Sequence, residues 1–103
     1  MKDRAFSFKE VKRIGTTRHF TAIGQIFVNE ASVMQRELSH AEQSGCVNIL
    51  IDMRQVETLT SSGIRVILAA HKKMKELGGK LQIVSPSDSV KNVIGLTAME
   101  EIL

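Results

Sequence analysis

Thr60, Ser61, Ser62 and Gly63 stand in a row at the point where a loop gives way to a helical run. Two hydroxyls at a helix start face unpaired backbone N–H groups and the positive end of the helix dipole. A phosphate, or an acidic group of a partner, is favoured in such a place. Ser62 reads as the helix cap, a role worth about 1 kcal/mol. That leaves the Ser61 hydroxyl without a structural task. Gly63 is a poor helix former, and its missing side chain permits close approach. Arg65 reads as a cation in the first turn, which the dipole disfavours by about 0.3–1 kcal/mol. It reads either as a solvated surface arginine or, joined by Arg54, as the group that would neutralise an acidic partner or a phosphate on Ser61. Asp52 ends an apolar run before the loop, at the carboxyl edge where parallel sheets place their sites. There it is expected to bond loop amides or to meet the partner.

The elements that must position these residues follow from periodicity. Residues 5–14 read as a strand in which Phe6 and Phe8 alternate and the pattern slips at Val11, as at a bulge or a ragged edge. Gly15-Thr16-Thr17 is a turn, and 18–26 a second strand. Asn29 is the expected N-cap of a helix whose apolar face is Ala31, Met34, Leu38 and Ala41. Ser44-Gly45 ends it. Residues 47–51 are almost wholly apolar, the pattern of a strand covered on both faces, and 52–63 read as a loop. A second helix is expected over 62–77, stopped by Gly78-Gly79, then a strand over 80–84. Ser87 caps a third helix that Gly95 ends, and 97–103 form a final turn or a tail. This order predicts an α/β fold. Its sheet is small, mostly parallel and four- to five-stranded, with an antiparallel edge strand and helices packed on it.

Composition removes several classes of function. The chain has 103 residues, enough for a single domain over 1–103. The formal charge of +3 is mild and scattered, and there are four Phe, no Trp and no Tyr, so nucleic-acid binding through base stacking is not expected. No apolar run approaches the ~20 residues of a membrane span. The single Cys46 cannot form an internal disulfide and reads as a small buried hydrophobe in a reducing compartment. A soluble, cytoplasmic protein is expected. The three histidines, His19, His40 and His71, lie on different elements, so neither a metal site nor a base for a serine nucleophile is indicated. No phosphate-cradling glycine loop is present. We therefore expect no catalytic residue, metal or cofactor.

The run Val47-Asn48-Ile49-Leu50-Ile51-Asp52-Met53, then Val56, then Leu59-Thr60-Ser61-Ser62-Gly63-Ile64, resembles the core signature of STAS domains, the anti-sigma factor antagonists and their relatives in sulfate transporters. Leu68, the Gly78-Gly79 helix end, Leu81-Gln82-Ile83-Val84 and the helix around Val90 and Ile94 also fit. The resemblance covers residues 45–103 well and the earlier part mainly through element order and Gly24. It implies a non-enzymatic switch in bacterial transcription regulation. Such a protein binds an anti-sigma factor with serine kinase activity and so frees the sigma factor. The kinase phosphorylates the first serine of the motif, here Ser61, and a phosphatase reverses this. ATP and Mg²⁺ would belong to the kinase. The resemblance thus makes Asp52, Arg54, Thr60, Ser61, Ser62, Gly63 and Arg65 the expected partner-binding set of a monomer or weak dimer. The chain departs from phosphorylated relatives at two places. Thr60 replaces the usual acid before the serine, and Phe27 or Val28 stands where an acid often follows the second strand. The alternative is a STAS scaffold or transport-complex subunit that binds its partner without being phosphorylated.

Overall fold

The computed structural model describes residues 5–97. Its organising strand is β2 (Thr17–Ile26), in which Arg18, Phe20, Ala22, Gly24 and Ile26 are buried while the residues between them are half-buried. That period of two places one face on the core. β1 (Ser7–Ile14) pairs with it antiparallel, and the register slips between Glu10 and Lys12. Val11 is thus the extra residue of a bulge, as the sequence pattern suggested. Phe8 stacks on Phe20 across the pair, ring centroids 4.9 Å apart.

The chain then enters α1 (Val28–Gln43), whose buried residues are Ala31, Met34, Leu38 and Ala41, the expected stripe. The helix begins earlier than expected: Phe27 is the N-cap residue and Asn29 already lies inside the helix. The cause is Glu30, whose Oε1 accepts the Phe27 amide at 3.1 Å and so closes the first turn ahead of Asn29. Gly45, at φ 95°, reverses the chain after α1.

β3 (Asn48–Leu59) is the largest departure from expectation. It runs parallel between β2 and β4 (Lys80–Val84), and residues 52–59, expected as loop, are strand. Its pairing with β2 shifts between Thr21 and Ile23 and again between Gly24 and Gln25. Each shift inserts an extra residue in β3, which breaks the alternation that marks a strand in sequence. Nor is β3 covered equally on both faces: Ile49 and Ile51 are buried, whereas Asn48, Leu50 and Asp52 are half-buried.

The sheet has four strands in the order β1-β2-β3-β4, with β1 antiparallel and the rest parallel. This is the mixed sheet the element order predicted, at the lower of the two expected strand numbers. α2 (Ser61–Glu76) packs against α1, β3 and β4, and α3 (Asp88–Thr97) against β3. Ser87 caps α3 as expected: its Oγ accepts the Val90 amide at 3.3 Å and donates to the Val56 carbonyl at 2.7 Å. α3 continues through Gly95 instead of ending there, because a helical glycine facing solvent costs only about 1 kcal/mol against alanine. Of the terminal turn or tail expected over 97–103, Thr97 still belongs to α3, and 98–103 lie outside the described residues.

One buried cluster draws on every element, from Phe8 through Met34, Ile51 and Ile67 to Val90 and Ile94. Cys46 belongs to it, and burial pushes its thiol pKa up. Among the described residues no helix is long and apolar enough to cross a membrane, and no group of three or more His, Cys, Asp or Glu could hold a metal ion.

Candidate partner-binding site

Two helix starts are tied together at one end of the sheet. Ile26, the last residue of β2, offers its carbonyl oxygen to the Thr60 amide at 3.2 Å and to the Thr60 hydroxyl at 2.8 Å. Thr60 has extended backbone (φ −96°, ψ 173°), and its own carbonyl accepts the Ile64 amide at 3.0 Å, which begins α2. Thr60 is therefore the N-cap residue by position, although its hydroxyl reaches across to β2 instead of capping the helix. The expectation that Ser62 is the cap is corrected. Ser62 is the second residue of α2, because the helix starts as soon as the chain leaves the ladder at Leu59.

This shift moves every other residue of the motif. Ser61 becomes the first helical residue; it is exposed, and its hydroxyl makes no hydrogen bond among the described residues. Arg65 lies in the second turn, not the first, so the dipole penalty that made it conspicuous is weaker than expected. It is exposed and makes no ion pair among the described residues. Gly63 is buried, and the group that approaches it closely belongs to the same chain. A Cβ there would lie 2.7 Å from Leu59 Cδ1 and 2.8 Å from Ile26 Cγ2. Gly63 thus lets α2 seat against the ends of β2 and β3.

Asp52 and Arg54 are not brought to the serines. Asp52 sits inside β3, paired across to Thr21 and Val84, not at the strand's carboxyl end. Its carboxylate accepts the Arg54 amide at 3.0 Å and pairs with Arg54 Nε at 3.3 Å. Arg54 Nη2 extends to Ser85 Oγ at 3.5 Å. The expected amide-bonding role of Asp52 is therefore present, and Arg54 is occupied at the junction of β3 and β4. This division was hidden in the sequence because the bulged strand looked like a loop that could fold back.

Two features of the site go beyond the sequence reading, which named Phe27 and Val28 only for the acid missing there. Phe27 and Val28, in the connection tied to Thr60, remain 45% and 66% exposed. Their signal was available: two adjacent large apolar residues between a strand and a helix. The second is a groove of about 700 Å³ between α1 and α2, reaching from Val28 and Ser62 past Arg65 to Glu42 and Lys73. It exists because the facing residues include Ala31, Ala69 and Ala70, which are too small to fill it. Desolvation there pushes the Glu42 carboxyl pKa up, against the opposing pull of Lys73. Residues 61, 65, 68 and 72 follow one another along the exposed side of α2, so Ser61 heads a stripe of Arg65, Leu68 and Lys72.

The model of the STAS domain family matches residues 8–103, and the chain belongs to that family. Solved structures of similar fold are anti-sigma factor antagonists. The antagonist SpoIIAA in its unphosphorylated form superposes with a TM-score of 0.80 at 18% identity, over 95% of this chain and 84% of that one. The Bacillus cell fate determinant SpoIIAA in its phosphorylated form gives 0.74 at 18% identity, over 95% and 87%. An anti-sigma factor antagonist from Mycobacterium paratuberculosis gives 0.82 at 18% identity, over 94% and 81%.

Proposed function

We propose that this chain is a bacterial anti-sigma factor antagonist, a cytoplasmic protein that acts by binding and not by catalysis. Its partner is an anti-sigma factor with serine kinase activity, and phosphorylation of Ser61 switches the binding off. The observation that carries the reading is the placement of Ser61. It is the exposed first residue of α2, its hydroxyl is uncommitted, and it stands beside a helix start that leaves Phe27 and Val28 open. An exposed apolar pair next to an exposed cation is the composition of an interface core with a charged rim. In the modification, Ser61 Oγ forms a bond to the γ-phosphorus of ATP and the bond from that phosphorus to the β,γ-bridging oxygen breaks. ADP leaves, and the hydroxyl proton passes to a base on the kinase. The product carries close to two negative charges at the contact surface. A phosphatase restores the serine.

Mass spectrometry after incubation with the cognate kinase and ATP tests this. Phosphate is expected on Ser61 and absent from Ser61→Ala. Label persisting in that variant would remove the site assignment. A Ser61→Asp protein that bound the kinase as tightly as the unmodified chain would end the switch reading.

One observation favours a second reading. The first turn of α2 carries no acidic residue, and Thr60, where phosphorylated relatives usually carry an acid, is committed to Ile26. A STAS scaffold or transport-complex subunit that binds without modification accounts for that. It predicts copurification with a transporter subunit and no phosphate on Ser61.

A further inference from the structure

We infer that Arg65 is the residue through which a phosphate on Ser61 acts. In the unmodified chain its guanidinium is free for an acidic group of the partner. In the phosphorylated chain it is drawn back onto the phosphate of its own helix. The inference rests on the phospho-switch reading of Ser61 and specifies how that switch works.

The geometry is that of a single helical turn. Ser61 and Arg65 are four residues apart in α2, which places their Cβ atoms about 5–6 Å apart on one face. Helical side chains lean toward the N-terminus, so the long Arg65 side chain covers the turn that carries Ser61. Both residues are exposed, and Arg65 makes no ion pair among the described residues. Its guanidinium fork matches phosphate oxygens in a bidentate arrangement.

Among the described residues the neighbouring charges leave the pairing uncontested. Arg54 is held by Asp52 and Ser85. Lys72 and Lys73 lie about two turns further along α2. No acid stands in the first turn, and the carboxylate at the adjacent helix start, Glu30, accepts the Phe27 amide. Arg65 also lines the mouth of the groove between α1 and α2, so withdrawing it toward Ser61 alters that mouth. One modification then has two consequences at the same surface: it adds negative charge, and it removes the cation that an acidic partner would meet.

The test uses full-length protein with phosphoserine installed at position 61 by genetic encoding, so that it does not depend on any kinase. The second ionisation of the phosphate is followed by ³¹P NMR in the unmutated background, in Arg65→Gln and in Arg65→Lys. An exposed side chain is replaced in each case, so the fold is retained. The unmutated protein is expected to ionise about half a pH unit lower than Arg65→Gln, a threefold change in the ionisation constant. Arg65→Lys should fall between them, and the difference should shrink in high salt. Coincident curves for all three would overturn the inference and leave the switch reading standing. Separated curves, with the kinase binding the phosphoprotein as tightly as the unmodified chain, would support the pairing and overturn the switch reading.

Discussion

The Thr60 hydroxyl and the Thr60 amide share one acceptor, the carbonyl oxygen of Ile26, at 2.8 and 3.2 Å. Those two bonds use both lone pairs of that oxygen, and they join the end of β2 to the start of α2. They also hold Phe27 and Val28 next to Ser61. An ionised acid at position 60 has no proton to donate, so threonine performs here a task that an acid would not. Thr60→Val, of similar shape but without the donor, is expected to lower stability by about 1 kcal/mol. Thr60→Ser should retain most of it. Urea denaturation with an unchanged m-value checks this; a Thr60→Val midpoint equal to the unmutated one would refute the tie.

Gly63 and Gly79 should respond differently to alanine. At Gly63 the added Cβ meets Leu59 Cδ1 and Ile26 Cγ2, both side-chain atoms of a buried cluster. Overpacking of this kind costs about 1–3 kcal/mol, and better helix propensity returns about 1 kcal/mol. A net loss of about 1 kcal/mol is expected. At Gly79 the Cβ would overlap the Val47 carbonyl oxygen, which also accepts the Lys80 amide at 3.1 Å as β4 joins β3. Backbone there cannot yield without breaking the strand pairing. Gly79→Ala should therefore melt well below Gly63→Ala, and equal melting temperatures would contradict the argument.

What sequence made legible here was whatever kept a clean period or a local cap. The stripe of Ala31, Met34, Leu38 and Ala41 and the cap at Ser87 were found with their roles. β3 was cut short at Asp52 because its two extra residues erase the alternation over 52–59. That error set the N-cap of α2 two residues late, at Ser62 instead of Thr60, and so put Arg65 in the wrong turn. The serines were placed at the start of α2 all the same, since they are contiguous. The groove between α1 and α2 was out of reach, because it depends on which small residues of two distant segments come to face each other.

Arg18 is a buried cation whose partners lie on two other segments. Its Nη1 meets Glu10 Oε1 at 3.1 Å, and its Nη2 donates to the Ser44 hydroxyl. The Arg18 side chain is 9% exposed and that of Glu10 26%. Glu10→Ala would leave the guanidinium desolvated with a single neutral acceptor. Removing one partner of a buried pair costs about 3–5 kcal/mol; the partial exposure of Glu10 reduces the expectation to about 2–3 kcal/mol. Glu10 also pairs with Arg13 at 3.1 Å, but that side chain is 59% exposed. Arg13→Ala should cost about 0–1 kcal/mol. Chemical denaturation of the two variants gives the comparison, and a larger loss from Arg13→Ala would invert this account of the edge strand.

Glu42 should make stability depend on pH in the acid range. Desolvation in the groove raises its carboxyl pKa, while Lys73 opposes the rise. A carboxyl with a folded pKa above its unfolded value costs nothing while both states are protonated. As pH rises, the unfolded chain ionises first, so stability falls through this window until the folded group ionises too. Above that point the loss is constant. Glu42→Gln, which cannot ionise, is therefore expected to be more stable than the unmutated protein at pH 7. The advantage should close below about pH 4, the ordinary carboxylate range. Lys73→Met removes the opposing charge and should widen the neutral-pH gap between Glu42 and its glutamine variant. Urea midpoints across the pH series decide it: a Glu42→Gln protein no more stable than the unmutated chain at pH 7 would show that the groove does not desolvate this carboxyl.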